Sequence, residues 1–171
     1  LVKAFDTHTH ADHVTALGKL RKITMCATVI REESSADLVS MRVKHGDKIK
    51  IKGMEFEVLH TPGHTDDSYC LYAPGMLFSG DTLFIRGNGR TDFQNGSAEM
   101  LYYSLKDKIF TLPDETTVYP GHDYKGERIS TIGIEKRKNP RYANKTKEEF
   151  IFVMENLKLP NPKFMDVAVP A

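Results

Sequence analysis

His8-Thr9-His10-Ala11-Asp12-His13 is the stretch on which the reading of this chain turns, because it gathers three imidazoles and a carboxylate into six residues. Residues 1–7 before it read as a short strand that delivers His8 at its end. Residues 12–22 after it have helix-forming composition, with Val14, Leu17 and Leu20 spaced for one buried face. The run therefore falls at a strand-to-helix junction. In an extended segment His8, His10 and Asp12 share a face, while His13 opens the helix and points elsewhere.

The same arrangement recurs downstream. Residues 24–30 are apolar and partly β-branched, a buried strand, and the charged, Ser-containing stretch after them is loop-like. Residues 48–59 alternate on either side of Lys52-Gly53, with Ile49 and Ile51 before it and Met54, Phe56 and Val58 after it. That hairpin runs into Thr61-Pro62-Gly63-His64. A second pair of strands, 69–72 and 76–79 around Pro74-Gly75, runs into Gly80-Asp81. The short strand at Val118-Tyr119 runs into Pro120-Gly121-His122.

Five of the seven histidines thus stand directly after predicted strands. Core packing gives no reason to concentrate costly polar side chains at the ends of separate strands, whereas imidazole and carboxylate groups brought together suit iron or zinc. His45 and His60 lack such company and default to structural roles. Two helices complete the pattern. Residues 97–110 place Leu101, Leu105 and Ile109 at four-residue intervals, and a capping box of Thr146 and Glu149 opens a helix carrying Phe150, Val153, Met154 and Leu157.

Composition narrows the partners. The chain has 171 residues, 24 Lys+Arg, 23 Asp+Glu, a net charge of +1 and 40% hydrophobic residues. That size suits one domain over residues 1–171. The near-neutral balance argues against nucleic acid, and no run is apolar enough to span a membrane, so a small molecule is the expected partner. Two cysteines, Cys26 and Cys70, read as buried small hydrophobes of a reduced intracellular protein. The chain opens on Leu1 and enters its first motif within eight positions, so an N-terminally incomplete domain is expected.

HTHADH, TPGH, FSGD and YPGH, in this order, resemble the successive metal-binding motifs of the metallo-β-lactamase superfamily, over essentially the whole chain. The fold this implies is an αβ/βα four-layer sandwich with its site at one edge of the sheets. It also implies strands before the HxHxDH motif, whose loss would leave unpaired edges. Within the superfamily, Ile85-Arg86-Gly87-Asn88-Gly89-Arg90-Thr91-Asp92-Phe93-Gln94 resembles the IRGxGRTDFQ segment of the persulfide dioxygenases, the group containing the ethylmalonic encephalopathy protein. YPGHDYKG, ERISTIGIEKRKNPR and LKLPNPKFMDVAVPA are similar to the same group. Glyoxalase II resembles the loop only as far as GxGR. Asn88 stands where some members of the group have cysteine, so any redox role of that cysteine is absent.

What this resemblance implies is oxidation of glutathione persulfide, or a similar thiol persulfide, by O₂ to sulfite and thiol, a step in sulfide oxidation. Zinc has no accessible redox change, whereas Fe(II) on two histidines and a carboxylate keeps positions open for sulfur and O₂. Motif by motif, one Fe(II) per chain would be held by His8, His64 and Asp81. His10, Asp12, His13 and His122 would surround it or complete a second site. Arg90 and Arg141 would bind substrate carboxylates, and Tyr124 would reach the sulfur. A salt bridge from Arg90 to Asp92, a surface role for Arg141 and simple packing of Tyr124 are the alternatives.

Two other functions compete. One is a glyoxalase II-like thioester hydrolase with two zinc ions, which ionise water near neutral pH. The other is a truncated, non-catalytic domain. The expected location is the cytoplasm, or the mitochondrial matrix in a eukaryote. A homodimer and a rhodanese-type sulfurtransferase are the protein partners compatible with the main reading.

Overall fold

In a computed structural model the described residues are 1–161 apart from 11, 14, 33–38 and 125. Nine strands and four helices occur among them. β1 (Lys3–Phe5), β2 (Ala27–Arg31) and β3 (Met41–Val43) form a parallel sheet in the order β1-β2-β3. A six-stranded sheet follows in chain order: β4 (Lys48–Ile51), β5 (Met54–His60), β6 (Tyr69–Ala73), β7 (Met76–Gly80), β8 (Thr117–Pro120) and β9 (Ser130–Thr131). Only β7 and β8 pair in parallel there.

Two apolar clusters define the layers. Val29 and Val43 of the small sheet meet Ile49, Val58, Tyr69 and Leu71 of the large one, which closes the interface between sheets. On the other face of the large sheet, Leu59, Cys70, Leu77 and Val118 pack against helix residues including Leu101, Phe150 and Ile132. These helices are α2 (Ala98–Ser104), α3 (Ile132–Lys138) and α4 (Lys147–Glu155), and α1 (Leu17–Thr24) contacts β1 and β2. The result is the helix, sheet, sheet, helix stacking of an αβ/βα sandwich. Both cysteines are buried, and burial pushes the Cys70 thiol up to about 11, so it is an inert core residue. Among the described residues no helix is long and apolar enough to cross a membrane.

The hairpins follow the expected pattern. Lys52 and Gly53 both have positive φ, 47° and 83°, and join β4 to β5 through the tight turn that this twist favours. The capping box at Thr146 is formed in both directions, and Phe150 and Met154 are buried. Three elements differ from expectation. α1 begins at Leu17 rather than at residue 12: the Leu17 N–H is taken by the Thr15 hydroxyl, and Asp12 is bonded to imidazoles instead of capping a helix. Leu17 is buried there, while Val14 lies outside the described residues. β3, β9 and α3 were not anticipated, since three, two and seven residues are too short for periodicity to register. The predicted helix 97–110 changes to a π turn over Leu105–Ile109. Four-residue spacing drifts about 40° per step around an α-helix, and a wider turn takes up that drift. It keeps Leu101, Leu105 and Ile109 wholly buried.

Candidate metal centre and its cavity

Four turns bring the chemistry together at one edge of the sheets. β1 ends before His8, β5 before His64, β7 at Gly80 before Asp81, and β8 at Pro120 before His122. Close backbone packing fixes the turns. A Cβ on Gly89 would lie 2.6 Å from His64 Nδ1 and from the Asp81 carbonyl, and one on Gly121 would lie 2.6 Å from Asp81 Oδ1. Only glycine lets those segments approach the candidate ligands so closely.

The imidazoles are aimed inwards by bonds on their other nitrogens. His64 Nδ1 donates to the Arg90 carbonyl at 2.7 Å, His10 Nδ1 donates to Asp12 Oδ1 at 3.0 Å, and His8 Nδ1 lies 3.0 Å from the Thr7 hydroxyl. The Nε2 atoms of His8, His10 and His64 are all buried and have no hydrogen-bond partner among the described residues. Those three side chains form one group able to hold an ion, and Asp12, Asp81 and His122 form a second. His8 Nε2 and His64 Nε2 lie 3.9 and 3.6 Å from Asp81 Oδ2. Ligands at about 2.1 Å from a shared ion stand about 3–3.5 Å apart, so the pocket needs only a small contraction to fit one. Three orphaned buried acceptors beside a carboxylate are costly without a cation and well suited to one.

Electrostatics follows the same division. Burial pushes His8 down to about 3 and lowers His64 as well, keeping both neutral and ligand-competent. Burial alone would raise Asp81, but the His122 hydrogen bond at 2.8 Å and the nearby His8 and His64 outweigh it, and its carboxyl stays below the ordinary range. Hydrogen bonds from His10 and His13 hold Asp12 well below the usual carboxylate range. The carboxylate partners raise His13 and His122 in return. His13 therefore does not point away from the cluster: its ring meets that of His8 edge-on at 5.1 Å, and its Nδ1 is 2.8 Å from Asp12 Oδ1. His45 and His60 lie outside the cluster, with His45 Nδ1 accepting from the His60 backbone.

Beside the centre opens a cavity of about 730 Å³, lined in part by His10, His64, Asp81, Arg90, Tyr124 and Arg141. The three expected substrate residues are thus adjacent to the metal group, in different states. Arg90 is engaged by the protein: its guanidinium makes a two-pronged bridge to Asp92 at 2.6 and 2.7 Å, donates to the Pro160 carbonyl at 2.7 Å and covers Phe93. Arg141 donates to the Asn88 carbonyl and is half-buried, and burial lowers it. Tyr124 is 71% exposed and stacks on His122, with Phe84 edge-on to both rings.

Glu135 was not anticipated. Its carboxylate is wholly buried, accepts from the Arg86 backbone and guanidinium at 2.9 and 2.5 Å, from Ser130 at 2.7 Å and from Asn139 at 3.1 Å. Asn139 also donates to the Gly87 carbonyl at 2.9 Å. The 85–90 loop is therefore fixed from α3. A glutamate within Glu135-Lys136-Arg137-Lys138 reads as a solvated helix face, and no local signal separates it from one.

The profile of the metallo-beta-lactamase superfamily matches residues 35–122. The chain belongs to that superfamily. Over its full length it is 45% identical to the persulfide dioxygenase ETHE1, mitochondrial, of Mus musculus, spanning 68% of that protein. The crystal structure of ETHE1 from Myxococcus xanthus superposes with a TM-score of 0.96 at 55% identity, over 99% of this chain and 75% of that one. Hydroxyacylglutathione hydrolase of Idiomarina loihiensis is more distant, 31% identical over 95% of this chain and 64% of its own length.

Proposed function

We propose that the chain is a non-haem Fe(II) persulfide dioxygenase, oxidising glutathione persulfide or a similar thiol persulfide. One persulfide, one O₂ and one water would yield the thiol, sulfite and two protons. The ligand set alone suits hydrolysis as well as oxidation, so the observation that carries this reading is the similarity to persulfide dioxygenases. It runs through the whole chain at 45–55% identity, against 31–38% over 72–95% of it for hydroxyacylglutathione hydrolases.

His8, His64 and Asp81 would hold one Fe(II), which supplies the redox change that O₂ chemistry requires and zinc lacks. His10, Asp12, His13 and His122 would keep those ligands oriented and hold protons at ring nitrogens and carboxylate oxygens around them. Arg141 has guanidinium capacity facing the cavity and would pair with a substrate carboxylate. Arg90, anchored by Asp92, would present its remaining surface to the same cavity. Tyr124 would place its hydroxyl over the substrate sulfur. The reading treats the chain as a single domain with small-molecule partners. It extends to a homodimer, a rhodanese-type persulfide supplier, and a cytoplasmic or, in a eukaryote, mitochondrial matrix location. The mouse relative is itself named mitochondrial.

A second reading has an observation of its own: Asp12, Asp81 and His122 form a further metal-competent group, as a two-zinc thioester hydrolase would need. An oxygen-electrode assay of the iron-loaded protein with glutathione persulfide separates them. O₂ uptake with matching sulfite supports the dioxygenase. Anaerobic thioester cleavage without O₂ uptake would replace it by the hydrolase.

A further inference from the structure

Asp67 takes no part in the chemistry above, yet its side chain is among the most enclosed carboxylates of the molecule, with only 2% exposed. It lies three residues beyond His64. One oxygen accepts the Thr9 backbone N–H at 3.3 Å and the Thr65 hydroxyl at 2.7 Å, and the other accepts the Thr9 hydroxyl at 2.7 Å. Thr9 separates His8 from His10, and Thr65 follows His64. The Asp67 carboxylate therefore ties together, at residues adjoining the imidazoles, two loops that are 58 positions apart in sequence.

Its surroundings reinforce the tie. The Thr65 N–H donates to the Ser68 hydroxyl at 3.2 Å, the two hydroxyls lie 2.7 Å apart, and the Tyr69 N–H donates to the Thr7 carbonyl at 2.9 Å. The first motif is thus pinned to the second both by main chain and by this side chain. The imidazoles it governs face each other closely, with ring centroids 4.8 Å apart for His8 and His64 and 4.4 Å for His10 and His64. A buried carboxylate is expensive to keep, and an apolar residue would pack the space more cheaply. What the carboxylate alone provides is acceptance of three converging donors from two ligand-bearing loops.

We propose that Asp67 is a positioning residue that sets the separation between the His8/His10 loop and the His64 loop, and through it the affinity and geometry of the metal site. The proposal rests on the reading that these imidazoles hold a metal ion. It predicts that losing the clamp weakens metal binding without removing a ligand.

The test uses Co(II) as probe on metal-free wild type, Asp67→Ala, Asp67→Asn and Thr9→Val, recording the dissociation constant, the visible ligand-field spectrum and the far-UV circular dichroism. Asp67→Ala should bind Co(II) about 10–100-fold more weakly, as loss of a group orienting metal ligands does, with an altered visible spectrum and unchanged far-UV signal. Asp67→Asn should recover most of the affinity. Its amide oxygen can accept from the Thr9 N–H and Thr65, and its NH₂ can donate to the Thr9 hydroxyl. Thr9→Val, which loses one contact, should fall between. Wild-type affinity and spectrum in Asp67→Ala would overturn the proposal. If that variant does not fold, wild-type binding by Thr9→Val overturns it equally. A wild-type protein that binds no Co(II) would instead remove the metal reading beneath it.

Discussion

The metal cluster and the arginine wall of the cavity lie side by side but are finished to different degrees. In the cluster, His8, His10 and His64 are each tied at Nδ1 and present a buried Nε2 that has no partner among the described residues. On the wall, the arginines are already engaged by protein, Arg141 less fully than Arg86 and Arg90. Arg90 is held by Asp92 and Pro160, Arg86 by Glu135, and Arg141 reaches the Asn88 carbonyl. The first region is preorganised for an ion, whereas the second is largely a self-supporting frame beside the exposed Tyr124. Substitutions in the two regions should therefore fail differently.

The largest effect belongs to the cluster. His64→Ala or Asp81→Ala should abolish iron retention and lower O₂ consumption more than about 100-fold while leaving a soluble fold. Metal analysis and oxygen-electrode rates check this, and full activity in either variant contradicts the ligand assignment. Next comes the frame. Glu135→Ala strips a buried carboxylate from Arg86, Ser130 and Asn139, and should cost about 3 kcal/mol, seen as a fall of about 6–12 °C in Tm with metal content unchanged. A shift within error would mean that the loop holds itself.

Acidity sharpens the contrast inside the cluster. In the metal-free protein His8 and His64 stay neutral below their ordinary range. Below about pH 6.5 the unfolded chain then binds more protons than the folded one, and each such group removes up to about 1.4 kcal/mol of stability per pH unit. His13 and His122 act in the opposite sense. Their raised values contribute stability that is complete below about pH 6.5 and is lost as pH climbs through their folded-state values. Asp12 and Asp81, held low, add stability above about pH 3.9 that disappears on stronger acidification. The Tm of the metal-free protein should therefore peak near pH 6.5 and decline on both sides. A flat profile between about pH 5 and pH 8 would deny these linkages.

The smallest effects lie on the wall. Arg141→Ala should raise KM about tenfold, the loss of one charge-assisted bond, and leave kcat and metal content near wild type. Arg90→Ala should raise KM by a smaller factor, because much of its guanidinium already serves Asp92 and Pro160. Steady-state kinetics with glutathione persulfide measures both. A larger effect at Arg90 than at Arg141 would reverse the division of labour drawn from their contacts.

What the sequence disclosed follows the same boundary. Strands ending at His8, His64, Asp81 and His122 were legible because period-two alternation and Gly-containing turns are local signals. The buried helix faces at Leu101 and Phe150 were legible for a similar reason. The start of α1 was not, since Asp12 bonds the imidazoles of His10 and His13 instead of capping a helix, and α1 opens only at Leu17. Nor was the π turn, which answers to packing around Leu105 and Ile109. Glu135 and Asp67 were invisible because a buried carboxylate is defined by donors that arrive from distant segments: Arg86 in one case and Thr9 in the other. Likewise, the alternation that put His8, His10 and Asp12 on one face could not show that Asp12 groups with Asp81 and His122.

The most direct test is elemental analysis of protein purified from its own host without oxygen. The account predicts one iron per chain, lost together with O₂ uptake when His8, His64 or Asp81 is replaced. Two tightly bound zinc ions per chain, retained through those purifications, would contradict it.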